Sequence, residues 1–196
     1  MTPLGYIAKR IAQRPDWLDV PHVWDICSVA NCISEDFADY INYWRHNGYW
    51  LFDHPEVISD ICNENAIDTS GLRFFYLESD LTQYDPDRTL WVDFEPVASF
   101  STCVKKAHES QLLGYDVVTI YCCDAPEHSP LSCNHLASQL PVNKHCLIDS
   151  LDDARDYIVR GAFANSEPGL LRIVAVHEIK NRDEPSDAPK SRSRAV

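Results

Sequence analysis

Histidine and cysteine residues are concentrated in and beside positions 124 to 149, in the run DAPEHSPLSCNHLASQLPVNKHCLID. Imidazole and thiolate groups are common ligands of zinc, so a metal site is the first hypothesis. Its candidate ligands are Cys123, His128, His145 and Cys146. However, the run has neither a C-x2-4-C nor an H-x3-5-H pair, and adjacent residues of a strand point to opposite faces. We therefore expect no metal and no other cofactor.

A thiol nucleophile is the second hypothesis for this run. Cys133 follows Ser129-Pro130, which predicts the N-terminus of a helix, where the helix dipole lowers the pKa of a thiol. His128 or His135 would act as its base, and Ser132 is the remaining catalytic candidate. Against this hypothesis, an apolar stripe at helical spacing places Cys133 on a buried face with Leu136, Ala137 and Leu140.

Surface recognition is the third hypothesis. Ser129 would cap the free amides of the helix and Pro130 would occupy its first turn, so both have ordinary structural roles. The exposed loop and the outer helix face then leave His128, Ser132 and His135 for contact with a partner. These three residues are the predicted interaction site.

The second half of the chain predicts the elements that would position this run. Its order is β-α-β-α-β, with strands from Tyr115, His145 and Leu170 and helices that follow Ser129 and Ser150. The connections are short, so we expect the strands to share one sheet with the helices packed on it.

The first half is predicted to be helical and rich in aromatic residues. A helix follows Thr2-Pro3, a second is capped by Ser34, and a third begins at Pro55. Strands are predicted over residues 72–77 and from Leu90.

The fold class is therefore α+β (mixed α/β), with one mostly central sheet, a C-terminal β-α-β-α-β half and a helical, aromatic-rich N-terminal part. No internal repeat is apparent. We expect a single globular domain over residues 1–179 and a disordered polar tail over residues 180–196.

Charge and composition narrow the classes of function. The 196 residues carry a net charge of −13, which repels phosphate backbones and anionic lipid, so neither nucleic acid nor a membrane is an expected partner. No signal peptide and no membrane span is apparent, which predicts a cytoplasmic protein. In that compartment the eight cysteines are expected to be reduced thiols.

Known catalytic motifs are absent, because the six glycines form no phosphate loop and no G-x-S-x-G or H-E-x-x-H run occurs. The runs SPLSCNHLASQLPVNKHCL, YDVVT and SEPGLLRIVAV, with GYIAKRI and RPDWL near the start, resemble segments of bacterial proteins of unknown function. The resemblance covers most of residues 4–179. It implies a bacterial origin and no particular activity.

These features predict an acidic, non-enzymatic interaction protein that neutralises or regulates a basic partner, in the manner of an immunity protein. The alternative is an enzyme or a small-ligand-binding protein with its site between residues 124 and 149. Oligomeric state is left open.

Overall fold

The structure of the protein, a computed structural model, describes residues 1–30, 35–36, 47, 49–94, 104–121 and 128–179. Its strands are β1 (Thr2–Arg10), β2 (Ala12–Gln13), β3 (Asp25–Ile26), β4 (Glu35–Asp36), β5 (Leu72–Asp85), β6 (Leu90–Asp93), β7 (Ser110–Ile120) and β8 (Leu170–Ile179). Its helices are α1 (Pro55–Glu64), α2 (Pro130–Cys133) and α3 (Leu151–Val159), with a 3-10 turn at Leu136–Ser138. The predicted α+β class is confirmed.

One antiparallel sheet of six strands has the order β4-β1-β5-β8-β7, and β6 also pairs with β5. A separate ribbon pairs β2 with β3. Strands β5 and β8 therefore lie in the middle of the sheet.

Helices α1 and α3 pack on the same face of this sheet. Ile58 of α1 shares a buried cluster with Tyr76, and Ile158 of α3 shares another with Ile173. Directly paired residues lie on one face, and so do residues an even number of positions apart. The pairing of Tyr76 with His177 therefore places both clusters on one face. A third cluster covers the opposite face.

The structure reveals an internal repeat, so the expectation of none is wrong. The sequence LGY occurs at residues 4–6 in β1 and at residues 113–115 in β7. The pattern N-x3-L-x-D occurs at residues 47–53, just before α1, and at residues 143–149, just before α3. We call these two segments the Asn loops. Each half of the chain thus contains, in this order, a long strand, an Asn loop, a helix and a second long strand.

Strand register relates the two halves by an approximate two-fold axis. Leu77 of β5 pairs with Gly5, Val176 of β8 pairs with Gly114, and Leu77 and Val176 pair with each other. Both Gly5 and Gly114 follow a register shift in their strands. The axis passes through the pair of Leu77 and Val176. Each residue of β5 is therefore equivalent to the residue of β8 that lies the same number of positions along the chain from this pair.

A single amide side chain closes each Asn loop onto the neighbouring strand. Asn143 Nδ2 donates to Leu113 O at 2.8 Å and to Asp149 Oδ1 at 3.1 Å. Its Oδ1 accepts from the backbone amides of His145 at 2.9 Å and Leu147 at 3.3 Å. In the first half, Asn47 makes the corresponding bonds to Leu4, Asp53, Tyr49 and Leu51.

Glycine is required where each strand passes its Asn loop. Gly114 has φ +151°, and a Cβ there would lie 2.8 Å from both Ile148 O and Leu147 Cβ. Gly5 has φ +146° and meets Phe52 O and Leu51 Cβ at the same 2.8 Å. The backbone hydrogen bonds between Tyr115 and Ile148 depend on this close approach.

The predicted N-terminal helix is wrong, because residues 2–10 form strand β1. Tyr6, Ile7, Ala8 and Ile11 occur at helical spacing, but the buried run from Tyr6 to Ala8 also fits a strand that is buried on both faces. Ile7 of strand β1 packs in the cluster on one face of the sheet and Tyr6 and Ala8 pack in a cluster on the other, so both faces of the strand are covered. A helical, aromatic-rich N-terminal part is therefore not supported.

The β-α-β-α-β prediction for the second half includes one strand, over residues 145–149, that the structure does not contain. Residues 145–149 make only an isolated bridge from Ile148 to Tyr115, because Asn143 turns the chain and Cys146 has φ +60°. The helix after Ser129 ends at Cys133, and His135 with φ +60° breaks the expected stripe. Strand β8 and helix α3 with its Ser150 cap are confirmed. The first turn predicted for the helix after Ser34 is wrong, because Glu35 and Asp36 form strand β4 and pair with β1. Residues 37–46 of that helix and the predicted tail lie outside the described residues.

Replacing Gly114 by alanine tests the close approach. We expect Gly114→Ala to lower the free energy of unfolding by about 3 kcal/mol or more, because it adds backbone strain and a clash with backbone atoms. Gly71→Ala is the matched control, since Gly71 has φ +74° but nothing within 4 Å of the added Cβ. It should cost about 1 kcal/mol. Urea denaturation measures both, and equal losses would contradict the structure.

Candidate functional site

The predicted interaction residues do not form one exposed patch. His128 is partly buried, and its carbonyl accepts a hydrogen bond from Thr119 N at 2.9 Å. Ser132 is fully buried and its hydroxyl donates to Ser129 O at 3.2 Å, so its expected exposure is wrong. His135 is exposed and stacks on Trp17 with 4.3 Å between ring centroids. Of the three, His135 alone is an exposed residue.

Cys133 takes part in a disulfide bond, so the expectation that all cysteines are reduced is wrong. Three other described cysteines, Cys27, Cys62 and Cys146, are free and buried. A sulfur held in a disulfide is not available as a thiolate nucleophile. Cys123, a candidate metal ligand, lies outside the described residues.

Ser129 does not cap a helix, because its hydroxyl is used in a buried network. Ser129 Oγ donates to Asp116 Oδ2 at 2.6 Å and accepts from Ala30 N at 3.0 Å. The same carboxylate oxygen accepts from Val29 N at 2.8 Å. Burial raises the pKa of Asp116 to about 6, although these bonds and nearby Lys9 oppose the shift. Asp116 thus links the first segment of the chain to the second half of the sheet.

A second polar network joins an acid, a thiol and an imidazole. His145 Nδ1 lies 2.6 Å from Asp25 Oδ1 and 3.9 Å from Cys27 Sγ. Cys27 Sγ lies 3.7 Å from the same Asp25 oxygen. These three groups are the one cluster among the described residues whose ligand atoms lie close enough to hold a metal ion together. We call it the Asp-Cys-His cluster.

Backbone hydrogen bonds position this cluster. Cys27 N donates to His145 O at 3.1 Å, and Asp25 N donates to Lys144 O at 3.2 Å. Asp25 and Cys27 are two residues apart on an extended segment, so their side chains project to the same side. The backbone amide of His145 donates a hydrogen bond to the Asn143 side chain. The cluster therefore sits on the second Asn loop.

Arg73 of β5 connects the cluster to the sheet. Its Nη1 lies 3.0 Å from Asp25 Oδ2, and its Nε lies 2.5 Å from Glu178 Oε1 on β8. All three side chains are about a quarter exposed. Arg73 therefore occupies one carboxylate oxygen of Asp25 and leaves the other toward His145 and Cys27.

The cluster is not arranged as a catalytic triad. In a triad the base faces its nucleophile with one ring nitrogen and its orienting acid with the other. Here Asp25 and Cys27 both approach Nδ1 of His145. Burial, and next the negative charge of Asp25, raise the pKa of the Cys27 thiol well above its usual range. The described geometry supplies no activated thiolate.

Only one candidate metal ligand from the sequence, His145, belongs to this cluster. Cys146 points elsewhere and is fully buried in the core beside Leu131 and Val142. The sequence interpretation missed Asp25 and Cys27, although their D-x-C spacing places two ligand types on one side of a strand. Their partner is about 120 residues away, which no local pattern indicates.

A third polar network lies near the two-fold axis. Glu78 is buried, and its oxygens lie 3.1 Å from Tyr76 OH, 3.2 Å from Lys106 Nζ and 3.2 Å from His177 Nε2. Burial lowers the pKa of His177, and the charge of Glu78 opposes that shift. Protein groups surround this carboxylate on several sides, so its arrangement is that of a neutralised buried charge.

Two exposed tryptophans lie on the segment that leads to Asp25, and each contacts one side chain from the second half of the chain. Trp24 is 68% exposed with Lys144 Nζ 5.3 Å from its ring, and Trp17 is 49% exposed and stacked on His135. We call these four residues the aromatic surface.

A cavity of about 500 Å³ opens at the other end of β8, and Gln83, Asp85, Asp87, Tyr121 and Arg172 are among its lining residues. The Arg172 side chain is buried, donates to Gln83 Oε1 at 2.8 Å, and stacks on Phe94 at 3.6 Å.

Comparison with known proteins found no matching family model, no matching curated protein and no matching solved structure. Across the ranges that the structure describes, no helix is long and apolar enough to cross a membrane.

Stability should depend on pH through Asp116. Its pKa of about 6 in the folded state lies above its ordinary value, so the folded protein binds the proton more tightly than the unfolded chain. The stabilisation is complete below about pH 4 and is lost as the pH rises through 6. Relative to Asp116→Asn, which keeps an acceptor oxygen, wild type should lose roughly 2 to 2.5 kcal/mol between pH 4 and pH 7. Urea denaturation across this range measures the difference, and a constant or rising difference would contradict it.

Thiol labelling tests the environment of each cysteine. Burial raises the pKa of Cys146 to about 12, so native Cys146 should react with iodoacetamide about a thousand-fold more slowly than free cysteine. Cys27 should be similarly inert, and Cys133 should react only after reduction. Peptide mass spectrometry before and after unfolding in urea reads each site. Rapid labelling of native Cys27 would show an activated thiol and favour catalysis.

Proposed function

We propose that the protein is a non-enzymatic interaction protein that binds a basic protein partner through the aromatic surface and thereby neutralises or regulates it. The observation that carries this proposal is the exposure of Trp24 and Trp17 on a segment whose apolar residues Leu18, Val20 and Val23 are buried in the core. Tryptophan is enriched among the residues that dominate the binding energy of protein interfaces.

The aromatic surface is held rigidly, which favours binding. Leu18, Val20 and Val23 lie between the two tryptophans and are buried in the same cluster as Leu136 and Val142. Backbone bonds from Leu18 N to Pro15 O and from Val23 N to Val20 O fix the turns between them. A partner would therefore meet tryptophans whose backbone is already ordered, so little conformational entropy is lost on binding.

Charge supports a basic partner. The net charge of −13 attracts cationic surfaces at long range and raises the rate of association with them. The described free thiols also provide no activated nucleophile, since the pKa values of Cys27 and Cys146 are raised. This favours binding over thiol catalysis.

The cavity beside Arg172 supports a second candidate function, the binding of a small ligand. Its volume of about 500 Å³ is in the range of small-molecule sites. Tyr121 would offer an aromatic wall, being 71% exposed, and Asp85 and Asp87 would offer acceptors. This candidate site adjoins the C-terminal end of β7 rather than the His135 region.

Site-specific photo-cross-linking tests the proposed binding of a basic protein partner. A benzophenone side chain at position 24 should capture one basic protein from the native host, whereas the same group at Leu81 should not. Leu81 is the control because it is 58% exposed but lies on strand β5. The yield should fall in high salt, as expected for steering by opposite charges. Equal capture at both positions, or capture of an acidic protein, would contradict the proposal.

A further inference from the structure

Two distant parts of the chain bring metal-binding atoms together. Asp25 and Cys27 come from the first half, His145 comes from the second Asn loop, and their ligand atoms all lie within 4.8 Å of one another. Thiolate, imidazole and carboxylate together are a ligand set that zinc and related transition metals accept. We propose that Asp25, Cys27 and His145 form a binding site for a divalent metal ion of the zinc class.

The separations of these atoms are close to those of a tetrahedral site. With metal–ligand lengths of about 2.0 to 2.3 Å, neighbouring ligand atoms lie roughly 3.3 to 3.6 Å apart. Cys27 Sγ is 3.7 Å from Asp25 Oδ1 and 3.9 Å from His145 Nδ1, so it needs only a small shift. Asp25 Oδ1 and His145 Nδ1 are 2.6 Å apart and must separate by about 0.7 Å.

Neighbouring side chains orient the ligands in the way that metal sites require. Arg73 binds Oδ2 of Asp25 and is held in turn by Glu178, which leaves Oδ1 as the single ligand oxygen. Asn143 fixes the backbone of His145. Such outer contacts align ligands and are a regular feature of protein metal sites.

Charge is also consistent with a divalent ion. Metal binding would release the thiol proton of Cys27 to solvent. The resulting thiolate and the carboxylate carry two negative charges, which one such ion balances, while Arg73 and Glu178 balance each other. His145 is 14% exposed and Asp25 is 24% exposed, so water can reach a fourth position. Three protein ligands and one water are typical of zinc sites that stay open to exchange.

The internal repeat indicates that this chemistry is specific to one half. Both Asn loops share the asparagine, the leucine and the aspartate that shape the loop. The position of His145 is occupied by Tyr49 in the first loop, which supplies no imidazole. The shared frame is structural, and the histidine is an addition to it.

Cobalt titration of the reduced full-length chain tests the site. One equivalent of Co2+ should produce the near-ultraviolet absorption of a cobalt–thiolate bond, and zinc should displace it. Cys27→Ser should abolish this absorption, and His145→Ala should weaken cobalt binding at least ten-fold. Cys62→Ser and Cys146→Ser are matched controls, because both remove a buried free thiol outside the cluster and should keep the absorption.

Two results would overturn the proposal. One is the lack of any stoichiometric cobalt–thiolate absorption in wild type, which does not depend on whether a variant folds. The other is full absorption in a folded Cys27→Ser protein, which would assign the bond to a different cysteine. Circular dichroism checks folding of each variant. Since cobalt binding is measured without a partner, the result is independent of the proposed binding function.

Discussion

The hydrogen bonds of Asn143 determine how the second half of the chain is built. This one amide joins Leu113 of strand β7 to three parts of the loop, so it holds the strand and the loop together. The bonds are possible only because Gly114 lets the loop backbone come within contact distance. Helix α3 begins immediately after the loop and covers the adjoining sheet. The first half repeats this arrangement with Asn47 and Gly5.

The two halves share a frame but differ in the side chains that the frame presents. Residues common to both loops all bond to the backbone or to one another, as expected of positions selected for structure. Ionisable side chains occur at two positions where the halves differ. His145 stands where the first loop has Tyr49, and Asp116 stands where β1 has Ile7. The approximate symmetry thus separates residues that build the fold from residues that need another explanation.

The sequence predicted the elements whose local pattern is unambiguous. Strand β8 and the Ser150 cap of α3 were recoverable, because buried apolar runs and capping residues act locally. Strand β1 was not, since the spacing of Ile7, Ala8 and Ile11 suits a helix face, while the consecutive apolar run from Tyr6 to Ala8 suits a doubly buried strand. Asp25, Cys27 and His145 were not recognised as one cluster, because tertiary structure alone brings them together. The repeat was visible as LGY and N-x3-L-x-D, but unequal spacing between the two patterns hid it.

The ion pairs of Arg73 are better understood as positioning contacts than as sources of stability. Each of its partners is about a quarter exposed, and pairs of this kind contribute little net free energy. Their geometry instead ties Asp25 to both central strands of the sheet. Trp24 precedes Asp25 directly and shares its backbone contact with Lys144, so the same contacts hold Trp24 at the surface. A metal ion bound by Asp25 would therefore reinforce the segment that carries the aromatic surface.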